Sequence, residues 1–179
     1  MNEWQIILLT GVVSFITALV TLAVTHRNEV KKLVMENRAK LYFDFCDKVE
    51  KILNNRFIIY DKEYIDILLT YKSKLKLLSS ENTLTAFKDL YEFVMGHYSA
   101  YIHYYNSTNP YNNPKYCHIE CDAEGVEHEE YNVPDFEISF FENDVEKFKK
   151  EHLPSYEDVS KYIMKLYDEM RKDLGNTIW

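Results

Sequence analysis

The sequence predicts a mainly all-α protein, in which an N-terminal transmembrane helix continues into an antiparallel helical bundle that carries a small acidic loop or β-hairpin insertion. Three observations predict it. Trp4 to Val24, WQIILLTGVVSFITALVTLAV, is an uncharged apolar run whose length at ~1.5 Å per residue, about 30 Å, matches the hydrocarbon thickness of a bilayer. Four stripes of apolar residues at helical spacing follow it. Only 4 glycines and 4 prolines in 179 residues leave little room for a many-turned all-β fold.

The apolar run divides the chain into an anchor, residues 1–25, and a domain, residues 26–179. A cleaved signal peptide is the competing reading, but it carries positive charge before its apolar region and small residues at a cleavage site. Here Asn2 and Glu3 precede the run and no A-x-A pattern follows. Basic residues crowd the far side, at Arg27, Lys31, Lys32, Arg38 and Lys40. The positive-inside rule then leaves the N-terminus outside and the C-terminal domain in the cytoplasm. Trp4 stands where an interfacial aromatic anchors the outer end. Within the run, Thr10, Ser14 and Ala18 lie four apart, as do Thr17, Thr21 and Thr25. Such small-residue stripes admit a second helix, although the hydroxyls also bond back to their own helix.

Beyond the anchor, Arg27 to Leu53 has no Pro or Gly and keeps a stripe at Val30, Val34, Asn37, Leu41, Phe45, Val49 and Ile52, so it reads as one helix continuing out of the membrane. Asn37 sits in that stripe either as a register-setting polar residue or as a solvated one. Asn54, Asn55 and Asp61 mark a break. The next helix spans about 62–78, with Tyr64, Leu68, Tyr71, Leu75 and Leu78 on one face. Ser80 or Asn82 then caps a third helix over about 83–105, striped by Leu84, Phe87, Tyr91, Val94, Tyr98, Tyr101 and Tyr105. Its end, His97 to Tyr105, is dense in aromatics. That density suits either a stacking platform or a continued core stripe, and the upstream spacing favours the core.

Residues 106–142 read as an insertion. Asn106 to Asn113 is a loop by its Asn and Pro content. Eleven carboxylates lie between Cys117 and Glu146 with no Lys or Arg among them, more negative charge than the whole-chain net of -8. An acidic segment of that kind disfavours nucleic acid as a partner. Residues 116–121 and 126–131 flank Asp122 to Gly125, where Asp and Gly suit a type I turn. The alternation of Phe136, Ile138 and Phe140 allows a third strand. The other reading is an irregular acidic segment laid over the bundle by Phe136, Ile138, Phe140 and Phe141. Cys117, His118, Cys121 and His128 are the one set that offers metal ligands. A structural zinc site wants two ligand pairs, however, and a strand here would turn the two cysteines to one face and His118 to the other. DAEGVEHEEYNV also lacks the alternation of an EF-hand loop. No metal or cofactor is therefore assigned. An odd number of cysteines, 3, on the cytoplasmic side argues for reduced thiols.

A short helix over about 143–151 ends before Pro154. Ser155 then caps a last helix with Asp158 at its third position. Its stripe is Tyr156, Val159, Ile163, Leu166, Met170 and Leu174, and Gly175 stands where a helix C′ glycine is expected. The segments YKSKLKLLSSENTLTAFKDLYEFV and YIMKLYDEMRKDLGN together resemble an uncharacterised group of small bacterial proteins with one membrane span, a helical cytoplasmic domain and an ending close to MRKDLG. The resemblance covers the anchor, the second and third soluble helices and the last helix, and omits the insertion. It implies architecture and a bacterial inner-membrane location, and carries no activity or site residue with it.

No glycine-rich phosphate loop, nucleophile elbow, HExxH or P-loop occurs. The leading expectation is a non-enzymatic module, tethered to the lipid bilayer, that binds a protein partner or itself. Two alternatives stand beside it. One is a metal-dependent or nucleotide-handling enzyme that uses the Cys/His/acidic insertion. The other is a membrane effector that oligomerises through the span in stress or phage defence.

Overall fold

The computed structural model describes the backbone of residues 2–121 and 127–175, and their side chains except at 5–9, 119–121 and 127–130. Helix α1, Glu3–Asn54, runs for 52 residues without interruption, as a stretch free of proline allows. Asn55 ends it and opens a 3-10 turn over Arg56–Tyr60 by accepting from the Phe57 N–H at 3.2 Å. Asp61 then caps α2, Lys62–Leu78, through the Glu63 N–H at 2.9 Å. Ser80 caps α3, Glu81–Thr108, through the Thr83 N–H at 3.2 Å. Each cap satisfies a donor that the first helical turn leaves over.

Two further 3-10 turns, Pro110–Asn112 and Pro114–Tyr116, are opened by Asn109 and Asn113. Strands β1, Cys117–Cys121, and β2, Glu127–Tyr131, pair antiparallel with Cys117 opposite Tyr131 and Cys121 opposite Glu127. Helix α4 spans Asp135–Glu151 and α5 spans Tyr156–Asp173. Ser155 caps α5 by accepting from the Asp158 N–H at 3.0 Å, and its hydroxyl donates to the Asp158 carboxylate at 2.7 Å.

One hydrophobic core joins four of the helices. Tyr42, Phe45, Val49 and Ile52 of α1 meet Leu68 and Leu75 of α2, Phe87 and Leu90 of α3, and Ile163, Leu166 and Met170 of α5, all buried. Phe45 packs on Tyr71 and Phe87, with ring centroids 4.8 and 5.5 Å apart. The hydrogen bonds fix direction. Tyr64 reaches the Lys48 carbonyl, Tyr71 the Asp44 carboxylate and the Arg38 guanidinium the Leu78 carbonyl, so α2 climbs as α1 descends and its last turn returns toward the N-terminal half of α1.

None of this core reaches the N-terminal part of α1. From Thr10 to Val34 every residue is exposed, and this is the one helix among the described residues long and apolar enough to cross a membrane. Val30, Val34 and Asn37, read from sequence as the start of the buried stripe, are exposed too. Partial burial begins at Met35 and full burial at Leu41, since the last turns of α2 and α5 reach α1 only at this level.

The insertion is shorter than the sequence suggested. Helix α3 continues to Thr108 and α4 begins at Asp135, so Phe136, Ile138 and Phe140 form no third strand. Their alternation competes with a second pattern, Ile138, Phe141, Val145 and Phe148, at spacing three and four. This is the set that α4 turns inward, while Phe136 and Phe140 are exposed. Asp135 and Glu137 in the first turn favour the positive end of the helix dipole. The turn read at Asp122 to Gly125 lies outside the described residues.

Candidate functional site

Three places bear on function: a polar junction at the end of α5, a groove beside the end of α3, and the strand pair.

The junction centres on Asp173. Its Oδ2 accepts from the Tyr42 hydroxyl at 2.5 Å, from the Ser80 N–H at 2.9 Å and from the Thr83 hydroxyl at 2.9 Å. One carboxylate thereby ties α5 to α1 and to the start of α3. Arg38 completes the ring, donating to the Leu78 carbonyl at 2.5 Å and to the Asp173 carbonyl at 3.5 Å. Burial works to raise the Asp173 carboxyl, but the bonds from Ser80, Tyr42 and Thr83 outweigh it and hold the carboxyl below its ordinary value. The Tyr42 phenol is pushed up, first by burial and then by Asp173, so it stays a neutral donor. Every polar group here has a partner, Thr83 at 0 % exposure included. The arrangement locks α1, α3 and α5 together.

Arg171, two residues earlier, has a local partner: it bonds Asp168 on its own helix at 2.7 Å, exposed. The residue that crosses to other helices is Asp173. Around it Met170 and Leu174 are buried and Gly175 takes a positive φ of 79°, so the MRKDLG ending fixes where α5 stops.

The groove, about 610 Å³, lies between α3 and the α4–α5 elbow. Gly96 and Ala100 line it beside His97 and His152, with Glu92 and Asp158 among its carboxylates. His97 meets Phe93 edge-on at 4.9 Å, and burial lowers its pKa. His152 stacks on Phe148 at 4.1 Å, and Phe148 stacks on Tyr104 at 4.2 Å. The elbow is tied down from the far side, since Tyr60 donates to the His152 carbonyl at 2.8 Å and Arg56 to the Pro154 carbonyl at 2.6 Å. The aromatic end of α3 is thus occupied by packing: Tyr101 meets Tyr60 at 5.3 Å and Tyr105 meets Phe141 at 5.1 Å. His103 alone of that cluster's histidines is exposed.

In the strand pair, the register separates the four candidate ligands. Cys117 and Cys121 occupy one alternating row of positions, with His118, opposite Glu130, and His128, opposite Glu120, in the other. Cys117 is half-buried and His118 exposed, while the side chains of Cys121 and His128 lie outside the described residues. Among the described residues no group of three or more His, Cys, Asp or Glu is placed to hold a metal ion. In the apolar run of α1, the Thr17 and Thr21 hydroxyls donate to the Val13 and Thr17 carbonyls at 2.8 Å, so these threonines bond their own helix. No family model, curated protein or solved structure matches the chain.

Proposed function

We propose that the protein is a membrane-anchored cytoplasmic interaction module, an antiparallel helical bundle with a hairpin insertion that binds another protein or itself without catalysis. One observation carries this reading. A single unbroken helix has an exposed, apolar N-terminal half and a C-terminal half built into a core, so whatever displaces the first half from water also fixes the position of the second. The basic residues at Arg27, Lys31 and Lys32 against none before the apolar run support a cytoplasmic domain. The likeness to small single-span bacterial proteins supports the inner membrane. A domain whose polar groups are spent on holding helices together, as at Asp173, suits presentation of a surface better than turnover of a substrate.

Crosslinking of the full chain in its native membranes, followed by extraction in mild detergent, tests the reading. A discrete crosslinked species, of partner or of self, is the expected result. Recovery of monomer alone across crosslinker lengths overturns it.

A further inference from the structure

We infer that the exposed stretch of α1 just past the apolar run pairs in parallel with the same stretch of a second copy, through a seam at Val30, Leu33 and Asn37. The inference rests on the membrane-anchored reading, because anchoring both copies in one bilayer makes their helices parallel.

Residues 26–34 of α1 contact no other part of the described chain closely enough to be buried; all are exposed. These nine residues gain nothing from tertiary packing, which supplies most of a helix's stability in proteins. Yet this stretch presents apolar side chains. Val30, Leu33 and Val34 are 46 %, 57 % and 39 % exposed, and they stand among Arg27, Asn28, Glu29, Lys31, Lys32 and Glu36.

Their spacing is that of a two-stranded coil. Reading from Val12, the positions Ile16, Leu19, Ala23, His26, Val30, Leu33 and Asn37 follow at alternating steps of four and three, and all of them are exposed. In heptad terms Ile16, Ala23, Val30 and Asn37 fall at a, and Val12, Leu19, His26 and Leu33 at d. A β-branched residue at a with Leu at d favours two parallel strands, and a single Asn at a fixes register and strand number. Within the membrane the pattern carries little weight, because every position there is apolar. Outside it, Val30, Leu33 and Asn37 meet it among Arg27, Asn28, Glu29, Lys31, Lys32 and Glu36, while Val34 flanks the seam at e and Met35 packs against the chain's own core.

Charge permits the same partner. In a parallel pair each g position faces the e′ position five residues further on, so Leu22 faces Arg27 and Glu29 faces Val34. No like charges are brought together. Above Asn37 the seam ends, since the next positions in the series are Lys40, Asp44, Asp47 and Lys51. There α1 turns its apolar residues to its own core instead. The small-residue stripe of the span faces away from this seam and takes no part in it.

The test is disulfide crosslinking in native membranes, using full chains with Cys117→Ser and Cys121→Ser and one new cysteine each. Val30→Cys, Leu33→Cys and Asn37→Cys are expected to give a covalent dimer on mild oxidation. Asn28→Cys and Lys32→Cys, on the outer side of the coil, are expected to stay monomeric. All five sites are exposed, so folding is not at risk. A flat pattern, or bands of a mass other than twice the chain, overturns self-pairing through this seam. Alkaline carbonate extraction of the same membranes separates the two readings. A chain that stays in the pellet with a flat pattern keeps the anchor and loses the seam. A chain released to the supernatant overturns the anchored reading and the parallel pair with it.

Discussion

The two halves of α1 share one backbone and differ in everything around it. From Leu41 to Ile52 the helix surrenders Tyr42, Phe45, Val49 and Ile52 to full burial, while from Thr10 to Val34 it has none to surrender. The buried half is amphipathic, with Asp44, Asp47 and Glu50 turned to water. The exposed half below Val24 is apolar all round, which in a solvated helix has no buried face to explain it. A helix therefore does not declare its solvent through its geometry; it does so through the pattern of its side chains and through what comes back to cover them. Here the cover ends near Met35 and Arg38, where the Asp173 junction closes the package.

That contrast can be broken from either end, and the largest effect belongs to the core. Phe45→Ala removes a fully buried ring at the meeting of α1, α2 and α3, and is expected to cost the domain about 3–5 kcal/mol in denaturant unfolding. Membrane retention of the same variant is expected to be unchanged. In the other half, Ile16→Arg puts a charge near the centre of the apolar run, which in a bilayer costs about 2.5–3.5 kcal/mol. It is expected to move the chain into the carbonate supernatant while leaving domain unfolding as it was. If either variant moves both readouts, the halves are coupled and the contrast fails.

The junction between them comes next. Asp173→Asn keeps the shape and removes the charge that three donors face, and is expected to cost about 1–3 kcal/mol. Its pH signature follows from the direction of the shift. The folded carboxyl is held below its ordinary value, so its contribution is present above the ordinary carboxylate range and is lost as pH falls through the folded value. Wild type is therefore expected to lose stability in acid by an increment that Asp173→Asn lacks, measured as unfolding midpoints between pH 7 and 3. Gly175→Ala forces a side chain to φ 79° and is expected to cost about 1 kcal/mol. Smallest of all, Lys32→Ala on the exposed half breaks an ion pair of 4.0 Å with Glu36. Its effect on domain unfolding is expected to stay within about 0.5 kcal/mol.

How far the sequence foretold this depends on distance along the chain. The stripes of α2 and α5, the caps at Ser80 and Ser155 and the glycine stop at 175 are local patterns, and the helices follow them except at Tyr156, which is exposed at the first turn of α5. The start of α4 was misread because two periods fit residues 136–148. Alternation was the more conspicuous, although the three-and-four spacing of Ile138, Phe141, Val145 and Phe148 was equally present. The junction was not foreseen at all. Tyr42 and Asp173 are 131 residues apart and Ser80 and Asp173 are 93, and no periodicity links them. The one available signal was that Tyr42 lies off the α1 stripe, one helical turn from Arg38, a polar-tipped residue next to a cation. At the strand pair the reading is conditional: a strand would set Cys117 and Cys121 in one row and His118 in the other, and the register has that alternation.

The most direct test of the division of α1 is a cysteine scan from Thr10 to Lys40 in intact cells and inverted vesicles, read with a membrane-impermeant maleimide. Cys117 and Cys121 are replaced by Ser, and Cys46 stays silent, being buried with its thiol pushed up to about 11. The account predicts protection through Val24 on both sides and labelling beyond His26 in inverted vesicles only, at the outward-facing positions Asn28, Lys31 and Lys32. Labelling within the apolar run, or labelling beyond His26 in intact cells, contradicts it.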